Sequence, residues 1–324
     1  MQTIKEVAKM AGVGLGTVSR VLNDSGYVKE STRQKVLAAV EALHYVPNDV
    51  ARNLRHQSTR FVGLIIPTIW HPFFSKLAYF IEQELYLYDY KMLLCNSEQA
   101  LDKELRYFEM LQKSQVAGII MISYNDFPEP QSDLPIVTID RIISPRFLHV
   151  SADNRHGGEL AAEALVQRGC RKLLFLGSAS PVPTEVDKRR EGFVRKAREL
   201  GVSCTVYEET VLLKQELSVI QNFLAQDIPF DGALTSSDLF AAALIKALGD
   251  KGQTCPDDFQ VIGFDGIQDN PYFKPILATI RQPVEKMARR SVELLLDKIN
   301  NQAAGEDTII DIEFFAGETV KPIV

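Results

Sequence analysis

The chain has 324 residues, 46% of them apolar and 24% charged, a length that suits two or three folding units and a composition that excludes both a disordered chain and a membrane-embedded one. No apolar run approaches the roughly 18 residues a transmembrane helix needs, so no membrane partner is expected. The formal net charge of −6 argues against a protein that coats nucleic acid, but it hides an asymmetry: residues 1–60 hold nine Lys/Arg and five Asp/Glu, a net +4, which leaves −10 for the remainder.

A basic head on an acidic body fits a small DNA-binding module attached to a domain with another task. In the head, Ile4, Val7, Ala8 and Ala11 fall at i, i+3, i+4 and i+7 and predict one amphipathic helix. Gly12 can take the left-handed conformation that ends it. A second short helix runs from about Leu15 to Leu22, with Val18, Val21 and Leu22 able to pack on the first. A third, Thr32 to Leu43, offers Val36, Leu37, Val40 and Leu43 to the same core. Two short helices joined by a glycine-containing turn make a helix-turn-helix, whose second helix enters the major groove. The glycines of Gly12-Val13-Gly14-Leu15-Gly16 superficially match a dinucleotide-binding loop, but that fingerprint requires a preceding strand and here a helix precedes. Pro47 to Arg55 is short for an autonomous helix, and Asn48 can cap it.

From Phe61 the pattern changes to alternating strands and helices. Strands are expected at Phe61–Pro67, Lys91–Cys95, Ala117–Ile122, Ile136–Ile139, Lys172–Leu176, Gly232–Thr235, Gln260–Phe264 and, as one last strand, Thr308–Phe315. Helices are expected at Phe73–Tyr88, up to Ser114, and over Gly157–Arg168, Val186–Leu200 and Leu239–Gly249. Asp153 is placed to cap the helix that follows it. Such alternation implies parallel sheets covered on both faces by helices. Ligands of open α/β sheets bind beyond the C-terminal strand ends. There the chain has Trp70 (its only tryptophan), Phe73, Phe74, Ser123, Asp140, Arg141, Ser236, Asp238 and Asp265. Aromatic faces, carboxylates and an arginine suit a small polar ring, a sugar before a purine.

Several segments together are similar to one known family. Thr3-Ile4-x-x-Val7-Ala8-x-x-Ala11-Gly12-Val13, Thr17-Val18-Ser19-Arg20-Val21-Leu22-Asn23, Thr32-Arg33 and Tyr45-x-Pro47-Asn48-x-x-Ala51-Arg52-x-Leu54 resemble the lactose-repressor (LacI/GalR) family densely. Asp153-Asn154-x-x-Gly157-Gly158, Arg190-x-Gly192-Phe193, Ile262-Gly263-Phe264-Asp265 and Thr279-Ile280-Arg281-Gln282-Pro283 continue the likeness more loosely. The resemblance implies an N-terminal all-α helix-turn-helix headpiece and a C-terminal α/β bilobed periplasmic-binding-protein-like domain. The corresponding boundaries are 1–57, with a hinge helix at about 48–56, and 61–324. It implies that Leu15, Gly16 and Arg20 read base edges, that Thr17, Ser19 and Thr32 lie near phosphates, and that Asn23 and Arg52 belong to the DNA-binding set. Leu54 would wedge into the minor groove and bend the duplex. Arg20 also has a plain physical rationale, since a guanidinium bonds guanine O6 and N7 together. Gly14 departs from the usual capping serine, and Gly16 brings no side chain to a base. In the body the resemblance adds Arg190 to the ligand set.

The expected function is therefore a cytoplasmic transcriptional repressor of a carbohydrate-utilisation operon. Its partners would be pseudo-palindromic operator DNA, a small sugar in the interlobe cleft and a second copy of itself. A purine, a sugar phosphate or a phosphorylated protein partner is the alternative signal, and a sugar-binding protein without regulatory role a further one. Met1–Glu6 has no apolar signal-peptide region. The four cysteines are scattered, with no CxxC pair, and read as reduced thiols. No GxSxG elbow, P-loop or HExxH occurs, so no enzyme, metal or cofactor is expected. The chain ends without a heptad segment, which gives no reason to expect a tetramer built on a C-terminal coiled coil.

Overall fold

The computed structural model describes residues 3–22, 25–45, 59–210, 215–268, 274–302 and 305–323. Two compact units emerge, Met1–Thr59 and Arg60–Val324. The hinge segment expected at 48–56 lies outside the described residues.

The first unit holds α1 (Ile4–Ala11), α2 (Leu15–Leu22) and α3 (Glu30–Ala42). The Glu6 carboxylate accepts from the backbone N–H and hydroxyl of Thr3, fixing the start of α1. Gly12, at φ 64°, turns the chain out of that helix in the left-handed conformation. Val7, Ala8, Ala11, Val18, Val21, Val36 and Ala39 form the core. Leu37, expected inside, faces outward at 46% exposure, because α3 turns Val36 and Ala39 inward.

The second unit has two six-stranded sheets. In chain order its elements begin β1 (Phe61–Ile66), α4 (Pro72–Leu87), β2 (Lys91–Asn96), α5 (Leu101–Lys113), β3 (Gly118–Met121), β4 (Ile136–Ile139) and β5 (Leu148–Ala152). They continue with α6 (Asn154–Gln167), β6 (Lys172–Ser178), α7 (Glu185–Glu199), β7 (Ser203–Glu209), α8 (Glu216–Leu224), β8 (Gly232–Thr235) and α9 (Asp238–Gly249). Then follow β9 (Gln260–Asp265), β10 (Ala278–Arg281), α10 (Val284–Ile299), β11 (Thr308–Ile310) and β12 (Glu313–Phe315). The first sheet runs β11-β5-β4-β3-β1-β2 and the second β12-β10-β9-β8-β6-β7, so the two lobes share one topology. All pairings are parallel except β10 with β12. Central strands such as β1 and β9 are buried along almost their whole length, which is why they read as continuous apolar runs.

The structure adds β5, β7, α8, β10 and α10 to the expected elements. Most are short, or half-exposed at a sheet edge like β7, and carry little periodic signal. The single last strand expected at Thr308–Phe315 is instead two. β11 closes the first sheet and β12 the second, with Asp311-Ile312 between them. The chain therefore passes between lobes three times: from β5 into α6, from β10 into α10, and from β11 into β12. At the first crossing Asp153 does cap α6, its carboxylate accepting from the His156 N–H at 3.0 Å.

Candidate functional site

A cavity of ≈ 430 Å³ opens where the C-terminal ends of both sheets face each other. Its centre is Arg189 on α7, 4% exposed. Its Nε donates to Asn154 Oδ1 at 2.6 Å and its Nη1 to the Ser236 carbonyl at 2.7 Å. The guanidinium lies 3.8 Å from the Phe264 ring centroid and 3.6 Å from Asp265 Oδ1. Asp265 ends β9 at φ 105° and Asp140 follows β4 at φ 63°, so these two cavity aspartates sit in a backbone region that side chains resist. Gln282, in the second lobe crossing, donates to Asp265 Oδ1 at 2.8 Å. His71 caps α4 by accepting from Phe73 N–H at its Nδ1, which leaves the proton of the neutral ring on Nε2, 3.9 Å from Asp265. Phe73, Phe74 and Tyr124 supply aromatic surface.

Three lining residues hold a buried atom without a hydrogen-bond partner: the acceptors Asp140 Oδ1 and Gln282 Oε1 and the donor Asn125 Nδ2. A ligand bearing hydroxyls, which both donate and accept, would satisfy them, and a purely apolar one would leave them costly. Burial presses the Asp140 carboxyl up to about 7; Arg189 opposes the shift, while Glu185 and Asp265 reinforce it. Burial also raises Asp265, against Arg189, His71 and Gln282, and lowers His71.

These shifts have a sign that can be checked. A carboxyl with a raised folded pKa favours the native state fully only below its unfolded pKa, and that contribution disappears as pH rises through about 7. A hydroxyl donated to Oδ1 favours the carboxylate, so ligand uptake near pH 7 is expected to release up to about half a proton from Asp140. Calorimetric binding heats at that pH should then vary with the ionisation enthalpy of the buffer, and the dependence should vanish in Asp140→Asn. Buffer-independent heats in the unaltered protein would refute it.

Of the ten residues expected to contact ligand, Phe73, Phe74, Asp140, Ser236 and Asp265 line the cavity. The other five do not. Trp70 stands 68% exposed in the loop after β1. Ser123 is buried and donates to Glu104 Oε2 at 2.6 Å, an internal bond that removes it from ligand. Arg141 donates to the Asn125 carbonyl. Asp238 is buried behind β9, accepting from Thr279 Oγ1 at 2.6 Å and Ile267 N–H at 2.8 Å. Arg190 pairs with Glu208 at 2.5 Å and Asp187 at 3.0 Å, away from the cavity. Its place is taken by Arg189. The buried face of α7 runs Glu185, Arg189, Gly192, Phe193 and Ala197, and Arg190 is one residue, about 100°, off that stripe. Helical periodicity therefore carried the signal that distinguishes the two arginines. His71, Tyr124 and Gln282 are further lining residues, each also standing after a strand end (β1, β3 and β10) but not among the ten expected.

In the first unit, α2 buries Val18 and Val21 and exposes Leu15, Gly16 and Arg20, with Thr17, Ser19 and Thr32 half-buried. A Cβ at Gly16 would meet nothing within 4 Å, so packing within the unit does not require glycine there. Tyr27, 90% exposed in the loop before α3, is an aromatic that helix patterning gave no reason to select. Asn23, Arg52 and Leu54 lie outside the described residues.

Comparison with known proteins bears on both units. Residues 3–48 match the profile described as bacterial regulatory proteins, lacI family. Residues 59–318 match that of periplasmic binding proteins and the sugar binding domain of the LacI family. The chain is 36% identical to a sucrose operon repressor of Streptococcus mutans, over 98% of this chain and 99% of that protein. It is 37% identical to a ribose operon repressor of Bacillus subtilis, over 95% of each. Among solved structures, a periplasmic binding protein/LacI transcriptional regulator from Alkaliphilus metalliredigens, complexed with D-xylulofuranose, aligns at a TM-score of 0.74 and 30% identity. That alignment covers 82% of this chain and 100% of the other.

Proposed function

Because the chain belongs to the LacI family of bacterial regulatory proteins, we propose that it is a sequence-specific DNA-binding repressor of a carbohydrate operon, answering to a small sugar in the interlobe cavity. The observation that carries the ligand assignment is the pairing of unpartnered acceptors, Asp140 Oδ1 and Gln282 Oε1, with Arg189 and the faces of Phe73 and Phe74 in one cavity. That set matches a ring with an apolar face and several hydroxyls. The sucrose and ribose operon repressors among its relatives, and the relative that binds D-xylulofuranose, support the same reading. The family is one of transcriptional repressors, and the cavity explains its carboxylates by binding without turnover. The place of action is the cytoplasm, where the operator is.

The DNA-binding headpiece spans residues 1–57, including the hinge segment, and the ligand and dimerisation domain spans 61–324. Exposed Tyr79, Tyr86 and Leu87 on α4 and Leu94 on the edge strand β2 supply an apolar face for a second copy. Two headpieces then meet the two halves of a pseudo-palindrome. Ligand and operator affinities are linked reciprocally through the lobe arrangement.

The test is a thermal-shift screen of mono- and disaccharides, sugar phosphates and purine bases, with Asp265→Asn alongside. A ligand at about a hundred times its Kd should add roughly 2.7 kcal/mol to the unfolding free energy. One sugar acting on the unaltered protein and not on the variant is the expected result. A response only to a purine or a sugar phosphate would replace the sugar, and silence across the panel would abandon the small-molecule signal.

On the DNA side, Arg20→Ala is expected to cost about 1–3 kcal/mol of operator affinity and to relax preference at one base position. Binding measured across a set of single-position operator variants decides this. A uniform loss would make Arg20 a phosphate contact, and a complex with one chain per full operator would contradict the dimer.

A further inference from the structure

Rotation of one lobe against the other must rearrange the polar groups buried between them, and one such group is unsatisfied. His149 on β5, 3% exposed, has its Nδ1 3.2 Å from Thr138 Oγ1 on the neighbouring strand. Its Nε2 is buried with no hydrogen-bond partner. Facing it from the other lobe is Glu185, the first residue of α7, with Oε1 4.0 Å from that Nε2 and also accepting from Lys188 Nζ at 2.6 Å. Glu185 is itself tied to the cavity. Its Oε2 accepts from Asn154 Nδ2 at 3.1 Å, and Asn154 Oδ1 accepts from Arg189 Nε at 2.6 Å. Asn154 opens α6, at the first lobe crossing. A run of buried hydrogen bonds therefore leads from the cavity arginine through a crossover residue to a carboxylate that stops about 1 Å short of bonding distance to His149.

We propose that His149 and Glu185 are an interlobe latch, whose Nε2–H···Oε1 hydrogen bond is made in the ligand-closed arrangement and left open in this one. The inference rests on the reading of the cavity as a ligand site. Neither residue lines that cavity, and the hydrogen-bonded route from ligand to the latch runs through Arg189 and Asn154. The neutral ring suffices. Burial holds the His149 imidazole down at about 4, so it is uncharged at physiological pH. The latch takes the tautomer in which Nδ1 accepts from the Thr138 hydroxyl and the ring proton sits on Nε2, facing the carboxylate. A buried donor without an acceptor costs free energy that closure by a small rotation recovers.

The full-length protein and its His149→Leu variant are melted without ligand and titrated with sucrose and with D-ribose. The latch predicts that the ligand-free variant melts no more than about 4 °C below the unaltered protein, because the bond between Nδ1 and Thr138 Oγ1 is the one lost in that state. It also predicts that whichever sugar binds loses about tenfold in affinity. In the unaltered protein, saturation with that sugar should shift the His149 Nε2–H resonance downfield and protect it from exchange, a readout that stands even if the variant fails to fold. A ligand-free melting temperature lowered by more than about 4 °C would mean the bond already exists in the open state and overturns the proposal. So would unchanged affinity, or a His149 resonance indifferent to sugar, and each of these leaves the sugar site itself intact. If neither sugar binds the unaltered protein, the sugar reading fails for these probes and the latch falls with it.

Discussion

Replacing Arg189 by alanine is expected to lower the unfolding free energy by about 3–5 kcal/mol and to abolish measurable binding in the cavity. The guanidinium is the cation among four buried acceptors: Asp265, Asp140, the Asn154 amide oxygen and the Ser236 carbonyl. Truncation removes the partner of all of them at once, which costs more than the net value of any one bond. It also removes the cation over Phe264. Lysine should restore only part of the loss, because it lacks the rigid planar fork that reaches Asn154 and Ser236 from two separate nitrogens. Arg190→Ala is the comparison. Its partners lie off the cavity, so ligand affinity should be retained. Denaturant unfolding of the three variants, with ligand titration of each, checks the expectation. Equal stability of Arg189→Ala and the unaltered protein would show that this network is dispensable.

The second large effect is expected where no polar group is involved. In α7, Gly192 places its Cα so close to α6 that an added Cβ would lie 2.0 Å from the Arg155 carbonyl oxygen. Reciprocally, a Cβ at Gly158 would lie 2.1 Å from the Arg189 carbonyl oxygen. Helix propensity alone favours alanine over glycine by about 1 kcal/mol at such positions. Here the obstacle is backbone, which cannot rotate away as a side chain can. Gly192→Ala is therefore expected to cost about 3 kcal/mol, and by pushing α7 off α6 to displace Arg189 and weaken ligand binding as well. A melting temperature unchanged within a degree would mean the helices separate without cost, and the argument from close approach would fail.

The helix-turn-helix was legible because it is local: Ile4, Val7, Ala8 and Ala11 declare their face within two turns, and Gly12 ends the helix by its own backbone freedom. The parallel sheets were legible because central strands buried on both sides are apolar runs, as in Phe61–Ile66. β10 and β11, with four and three residues, are too short to carry a period, and the division of Thr308–Phe315 between two sheets leaves no local mark at all.

Among the site residues, Asp140 and Asp265 follow from their position after strands, a rule that local pattern can apply. The same rule admitted Ser123 and Asp238, whose neighbours Glu104 and Thr279 turn them inward. The motif residues Gly158, Gly192 and Gly263 could be recognised in the chain without their reason. Gly192 makes room for α6, and a Cβ on Gly263 would fall 2.1 Å from Asp238 Oδ1. Sequence by itself determined the helix-turn-helix, the central strands and most helices of the body, and the strand ends at which a ligand site must lie, because each depends on residues within one helical turn or one pleat of each other. Which arginine fills the cavity, which carboxylates remain open to a ligand and how His149 comes to face Glu185 were decided by tertiary structure, since those contacts join residues some 35 to 75 positions apart that only the packed lobes bring within bonding distance.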